Sequence, residues 1–173
     1  MTEQAFGNQI NVDRNDDVIK SIGQILLDRK LRLVTAESLT GGLLAASFTS
    51  VPGSSRWFEG GFITYRSSAK VRLLGVPAEL IDHWGAVSEP VASAMVRGAL
   101  DRSDGDLAIA VTGIAGPEGG QPDLPVGTIW IAWADRLGLL QTARYEFAGA
   151  RSDIRSQTVV AAIEGLRLVL AKA

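Results

Sequence analysis

Cysteine is absent from this 173-residue chain, and histidine occurs once. The first absence excludes disulfides, thiolate nucleophiles and cysteine–zinc sites, and a single histidine excludes a histidine-rich metal centre. Charge is not concentrated either. Seventeen basic against 19 acidic residues leave a formal charge of -2, and no basic block is long enough to track a phosphate backbone, so nucleic acid is not an expected partner. No stretch reaches the roughly 18 uncharged apolar residues of a membrane span, and the polar start lacks the basic and apolar regions of a secretion signal. A soluble, cytoplasmic protein without a membrane partner is the expectation.

What is present is enough for a core: 46% of the residues are hydrophobic, in a chain near the usual size of one domain. Residues 1–15 read as a flexible leader, and residues 16–173 as a single domain. A cap at Asn15-Asp16-Asp17 and an apolar stripe of Val18, Ile19, Ile22, Ile25 and Leu26 predict a helix over 16–29. A strand over 31–36, a glycine-bearing turn and a helix over 43–49 follow. Aromatic and β-branched content predicts a second strand over 57–65, in which Gly60 and Gly61 suggest a bulge or a close backbone approach.

Three helices come next, the first capped by Ser67 or Ser68, the second opened by Pro77, the third started by Ser88-Glu89-Pro90. A strand over 106–112 ends in a glycine-rich loop that extends to Pro125. Strands over 127–133 and 139–147 read as an antiparallel pair, and a long amphipathic helix over 151–170 closes the chain. This order predicts an α/β fold, a single mixed β-sheet covered by helices.

Four groups of residues could carry chemistry. Ser38 stands where a strand gives way to a helix, near backbone N–H groups that can meet an oxyanion or a phosphate. Thr40, Gly41 and Gly42 would let a ligand approach that backbone. The plainer reading of Ser38 is a helix cap. Tyr65 and Lys70 fall where both could face the same crevice, and a lysine brought from about 10.4 toward 7 by burial can serve as the base for a serine. The plainer reading of Lys70 is a surface lysine. His83, at a helix end, is not expected to take part. Thr112, Gly113, Ala115 and Gly116 begin a loop whose successive amides suit a phosphate or carboxamide. No Gly-Lys-Ser/Thr follows and no helix opens after it, so it is neither a Walker loop nor a dinucleotide fingerprint. Arg151 and Arg155, four apart, project from one helix face and can fork onto phosphate, or merely solvate that face.

Six motifs occur in order: T-A-E-S-L-T-G-G at 35–42, G-G-F-I-T-Y at 60–65 with Lys70, G-A-V-S-E-P-V-A at 85–92, T-G-I-A-G-P-E-G-G at 112–120, P-V-G-T-I-W-I-A at 125–132 and R-S-D-I-R at 151–155. Together they resemble the C-terminal domain of the competence/damage-inducible CinA family, the PncC-type nicotinamide-nucleotide amidases, over residues 17–170. The resemblance implies a three-layer α/β sandwich, often a homodimer, that hydrolyses nicotinamide mononucleotide to nicotinic acid mononucleotide and ammonia with no metal or cofactor. It implies Ser38 as nucleophile, Tyr65 and Lys70 as the groups that take its proton, Thr112 and its loop as pocket wall, and Arg151 and Arg155 as basic positions for the phosphate. Where the family often has asparagine two residues after the tyrosine, this chain has Ser67, so a ligand hydrogen bond there is expected to be weaker or rearranged. The family's frequent N-terminal partner domain, linked to nucleotide pyrophosphatase activity, has no counterpart in the sequence, and that activity is not expected. The alternatives are a non-catalytic pyridine-nucleotide-binding or regulatory module and, on the family's name alone, a DNA-associated competence factor.

Overall fold

The computed structural model describes residues 13–172. Its elements are α1 (Asp13–Arg29), β1 (Leu33–Glu37), α2 (Leu43–Thr49), a 3-10 turn (Ser54–Arg56), β2 (Phe58–Ile63), α3 (Ser67–Leu74), α4 (Ala78–Trp84), α5 (Glu89–Asp101), β3 (Leu107–Gly113), β4 (Thr128–Asp135), β5 (Leu140–Glu146) and α6 (Arg151–Lys172). The strands form one sheet in the order β2-β1-β3-β4-β5. β1 runs parallel to both β2 and β3, and the β3–β4 and β4–β5 pairs are antiparallel. The mixed α/β sheet expected from the element order is the one observed. Among the described residues no helix is long and apolar enough to cross a membrane.

Alternation within the strands divides the molecule into layers, because successive side chains point to opposite faces. In β3 the large residues Leu107, Ile109 and Val111 join α1, α2 and α6 in one core. Ala108 and Ala110 face the other way, with Ala132 and Ala134 of β4, beneath α5. Small residues on that face let α5 sit close to the sheet. α5 in turn receives α3 at Gly98, where an added Cβ would fall on the carbonyl of Leu74. Gly98→Ala cannot be relieved by a rotamer change, since the obstacle is backbone. It is expected to cost about 1–2 kcal/mol after the gain in helix propensity, read as a drop in Tm of roughly 2–8 °C. An unchanged melting curve would show that α3 and α5 are free to separate.

Several boundaries differ from the sequence reading, each for a local reason. α1 starts at Asp13, so Asn15 lies inside the helix rather than capping it; residues 1–12 of the expected leader lie outside the described residues. α1 stops where Lys30 takes a φ of 56° and the amides of Lys30 and Leu31 return to the carbonyls of Leu27 and Leu26, a left-handed helix stop. β2 ends at Ile63, not at Tyr65. Its register against β1 slips between Leu33 and Val34, leaving Glu59 as the extra residue of a bulge beside Gly60. α3 takes Arg66 as N-cap with no side-chain cap bond, so neither Ser67 nor Ser68 caps it.

Candidate active site

The carboxyl ends of β1 and β3 diverge, one chain turning into α2 on one face and the other into the glycine loop, and such a divergence is where open α/β sheets place ligands. Ser38 follows β1 directly. Val34 and Ala36 point toward the α3–α5 layer, and Ser38 continues that parity, only 7% exposed. From α3 comes Lys70, 1% exposed, whose Nζ donates to Ser38 Oγ at 2.9 Å, to the Thr64 carbonyl at 2.8 Å and, more weakly, to the Tyr65 carbonyl at 3.5 Å. Burial pushes the Lys70 ammonium down from 10.5 to about 8. A buried, hydrogen-bonded Ser–Lys pair therefore exists, and Lys70 is not a surface residue.

Three acceptors around one ammonium have a chemical consequence. Once Lys70 loses a proton, its two remaining N–H groups can stay on the Thr64 and Tyr65 carbonyls while the lone pair faces the Ser38 hydroxyl. That is the geometry of a base poised to deprotonate an alcohol.

Tyr65 enters differently from expectation. Its carbonyl, not its phenol, faces Lys70; Tyr65 as a whole is 57% exposed, and its phenol oxygen accepts from Arg151 Nη2 at 2.9 Å. Arg151 also donates to the Gly116 carbonyl at 2.9 Å, so it ties the Tyr65 segment to the glycine loop across the mouth of the site. Arg155 lies on the same face of α6, but its Nε donates to the Leu39 carbonyl at 3.1 Å and its Nη2 to the Thr40 carbonyl at 2.7 Å. Thr112 Oγ1 donates to the Ala86 carbonyl at 2.8 Å, joining β3 to the segment before α5. Gly113 is half-buried, Ala115 and Gly116 are buried, and Gly116 precedes a cis proline. Thr40 Oγ1 is buried with no hydrogen-bond partner. His83 is exposed and its ring packs on Trp84 at 4.9 Å, outside the pair.

The sequence reading passed over Glu37. Its side chain is fully buried and accepts from the amides of Gly42 at 2.9 Å, Leu44 at 3.1 Å and Ala45 at 2.8 Å. The N-cap position of α2 belongs to Gly42, with φ 99°, and the preceding Gly41 has φ 60°; two left-handed residues in succession fold the turn back over Glu37. Ser38 does not cap this helix. The first-turn amides expected to greet an anion already hold the carboxylate.

Elsewhere, a cavity of about 370 Å³ opens among Leu31, Leu107, Leu137, Leu139, Val169 and Leu170. It lies at the amino ends of β1 and β3, the far end of the sheet from Ser38. Among the described residues no three His, Asp or Glu side chains converge as a metal site would need.

Residues 15–170 match the CinA C-terminal domain family. The chain belongs to that family. It is 49% identical over 145 residues to the nicotinamide-nucleotide amidohydrolase PncC of Pseudomonas putida, covering 84% of this chain and 90% of that protein. It is 46% identical over 167 residues to a CinA-like protein of Geobacter sulfurreducens, covering 96% of this chain and only 40% of that longer one. Among solved structures, the competence/damage inducible protein CihA from Agrobacterium tumefaciens matches with a TM-score of 0.87 at 38% identity over 99% of both chains. The three-layer sandwich is thus the fold of the CinA C-terminal domain.

Proposed function

We propose that this chain is a nicotinamide-nucleotide amidase, hydrolysing the carboxamide of nicotinamide mononucleotide to the carboxylate and ammonia. The observation that carries the reading is the buried 2.9 Å contact between Lys70 Nζ and Ser38 Oγ, in a chain 49% identical to a protein named for that activity. Neutral Lys70 takes the Ser38 proton as Oγ bonds to the carboxamide carbon, giving a tetrahedral oxyanion. The C–N bond breaks, Lys70 returns the proton to the departing nitrogen, and ammonia leaves an acyl-enzyme. Water then attacks the ester, Lys70 accepts its proton and passes it to Ser38 Oγ, and nicotinic acid mononucleotide is released.

In this reading the Tyr65 carbonyl orients the base, and the Tyr65 phenol stands at the mouth with Arg151. The phosphate falls to Arg151, which is exposed, because Arg155 is committed to the carbonyls of Leu39 and Thr40. Thr112 and the 113–116 segment form the wall beside the ring. No cofactor or metal is called for, the working compartment is the cytoplasm, and the working unit is a homo-oligomer.

The test is ammonia release by the purified chain from nicotinamide mononucleotide, with free nicotinamide as control. Turnover of the mononucleotide but not of the free base is the expected result. A folded protein that binds the nucleotide and releases nothing would be a binding module instead.

A further inference from the structure

We propose that Glu37 and Arg155 are positioning residues that clamp the nucleophile turn from two sides and so present the amides of Leu39 and Thr40 to the oxyanion. The inference rests on the reading of Ser38 as nucleophile and adds to it which donors stabilise the charge and what aims them.

Eight backbone amides run from Ser38 to Ala45. Ser38 N–H donates to the Val111 carbonyl at 3.1 Å, Gly41 N–H to the Ser38 carbonyl at 3.1 Å, and Leu43 N–H to the Thr40 carbonyl at 3.2 Å. Those of Gly42, Leu44 and Ala45 go to the Glu37 carboxylate. Leu39 and Thr40 are left, the two residues directly after the nucleophile, and their amides have no acceptor among the described residues. In hydrolases with a nucleophile on a strand-to-helix turn, the amide following it is a recurrent oxyanion donor.

Direction follows from peptide planarity. A trans peptide points its C=O and its N–H to opposite sides. Arg155, reaching from α6, draws the Leu39 carbonyl toward the layer of α1, α2 and α6. The Thr40 N–H of that same peptide points away from Arg155, and Thr40 is 0% exposed, so this donor is shielded from bulk water. Arg155 therefore aims the Thr40 donor, and Glu37 fixes the start of α2 from which the turn hangs. A neutral side chain at 37 could not repeat this, because one of its two polar atoms would donate where the backbone also donates. Nor can the α2 amides serve the substrate, since the protein's own carboxylate fills them.

The experiment compares wild type, Glu37→Gln and Arg155→Met in two readouts. One is steady-state ammonia release from nicotinamide mononucleotide. The other is the rate at which a fluorophosphonate labels Ser38, in which the Oγ–P bond forms, P–F breaks, fluoride leaves and the proton passes to Lys70. Expected is a fall in kcat of about 10²–10³-fold in each variant, the usual effect of losing one oxyanion donor, with KM within about threefold and labelling slowed at least tenfold. A raised KM with intact kcat in Arg155→Met would overturn the proposal and return Arg155 to the phosphate, as would wild-type labelling rates in both variants. If Glu37→Gln fails to fold, the half-buried Arg155 decides the matter alone. A wild type that labels at Ser38 but releases no ammonia would overturn the substrate reading while the labelling rates still judge the clamp; a Ser38 that takes no label overturns both.

Discussion

Ser38→Ala is expected to lower kcat/KM for nicotinamide mononucleotide by at least about 10⁴-fold, because in the proposed mechanism the residue supplies the bond-forming atom and its loss removes a whole step rather than one interaction. The fold should survive. The hydroxyl contributes one acceptor to Lys70, whose Nζ keeps the Thr64 and Tyr65 carbonyls, and alanine fits the space left behind. The variant should therefore bind nicotinic acid mononucleotide with near wild-type affinity in calorimetry and melt within a few degrees of the parent. Mass spectrometry of quenched wild-type turnover should show the nicotinoyl mononucleotide adduct on Ser38, absent from the variant. Retained turnover in the alanine variant would mean that water attacks the carboxamide directly and that Ser38 only seats the lysine.

The sheet and its helices were legible because each strand carries its own alternation. Leu107-Ala108-Ile109-Ala110-Val111 declares a strand buried on both faces with a large and a small side. Ser38 and Lys70 were legible as candidates, since a hydroxyl after a strand and a lysine one turn into a helix are local features. What could not be read was their partners. Glu37 looks like part of a polar turn, and its three acceptances reach five, seven and eight residues ahead, outside the three-residue spacing that announces a capping box. Its one signal is parity: Leu33, Thr35 and Glu37 share a face, and a carboxylate on an apolar face needs buried donors.

Tyr65 and Arg155 meet other partners than their local sequence suggests, for related reasons. Extending β2 two residues too far, to Tyr65, put the phenol in the crevice; the strand stops at Ile63, and the chain turns so that the carbonyl faces inward. The shared face of Arg151 and Arg155 follows from their spacing, yet the carbonyls that Arg155 holds lie 115 and 116 residues away in sequence. Long-range backbone acceptors leave no mark on side-chain identity. An arginine pair that reads as a phosphate fork thus divides in the fold, one guanidinium at the mouth and one spent on the turn.

Lys70→Met carries the second large effect, and pH separates its causes. With the ammonium held near 8 by burial, about a tenth of wild-type molecules have a neutral amine at pH 7. The wild-type kcat/KM should climb about tenfold per pH unit up to roughly pH 8 and then level. Methionine removes the proposed base at every pH, so the variant should lose about 10³–10⁵-fold at the plateau and show no such rise. Stability runs with its own sign. A lysine whose folded pKa lies below its unfolded 10.5 binds fewer protons folded than unfolded between about 8 and 10.5, so wild-type stability increases across that window. The drop from 10.5 to about 8 corresponds to about 3 kcal/mol, a cost of burial present in full at neutral pH. Lys70→Met sheds it, keeps a similar shape, and forgoes the hydrogen bonds to Thr64 and Ser38. Denaturant unfolding should find the variant no less stable than wild type at pH 7 and the wild type gaining on it by pH 10. A flat wild-type rate profile between pH 6 and 9, or a methionine variant that still turns over, would remove Lys70 from the chemistry and leave its burial unexplained.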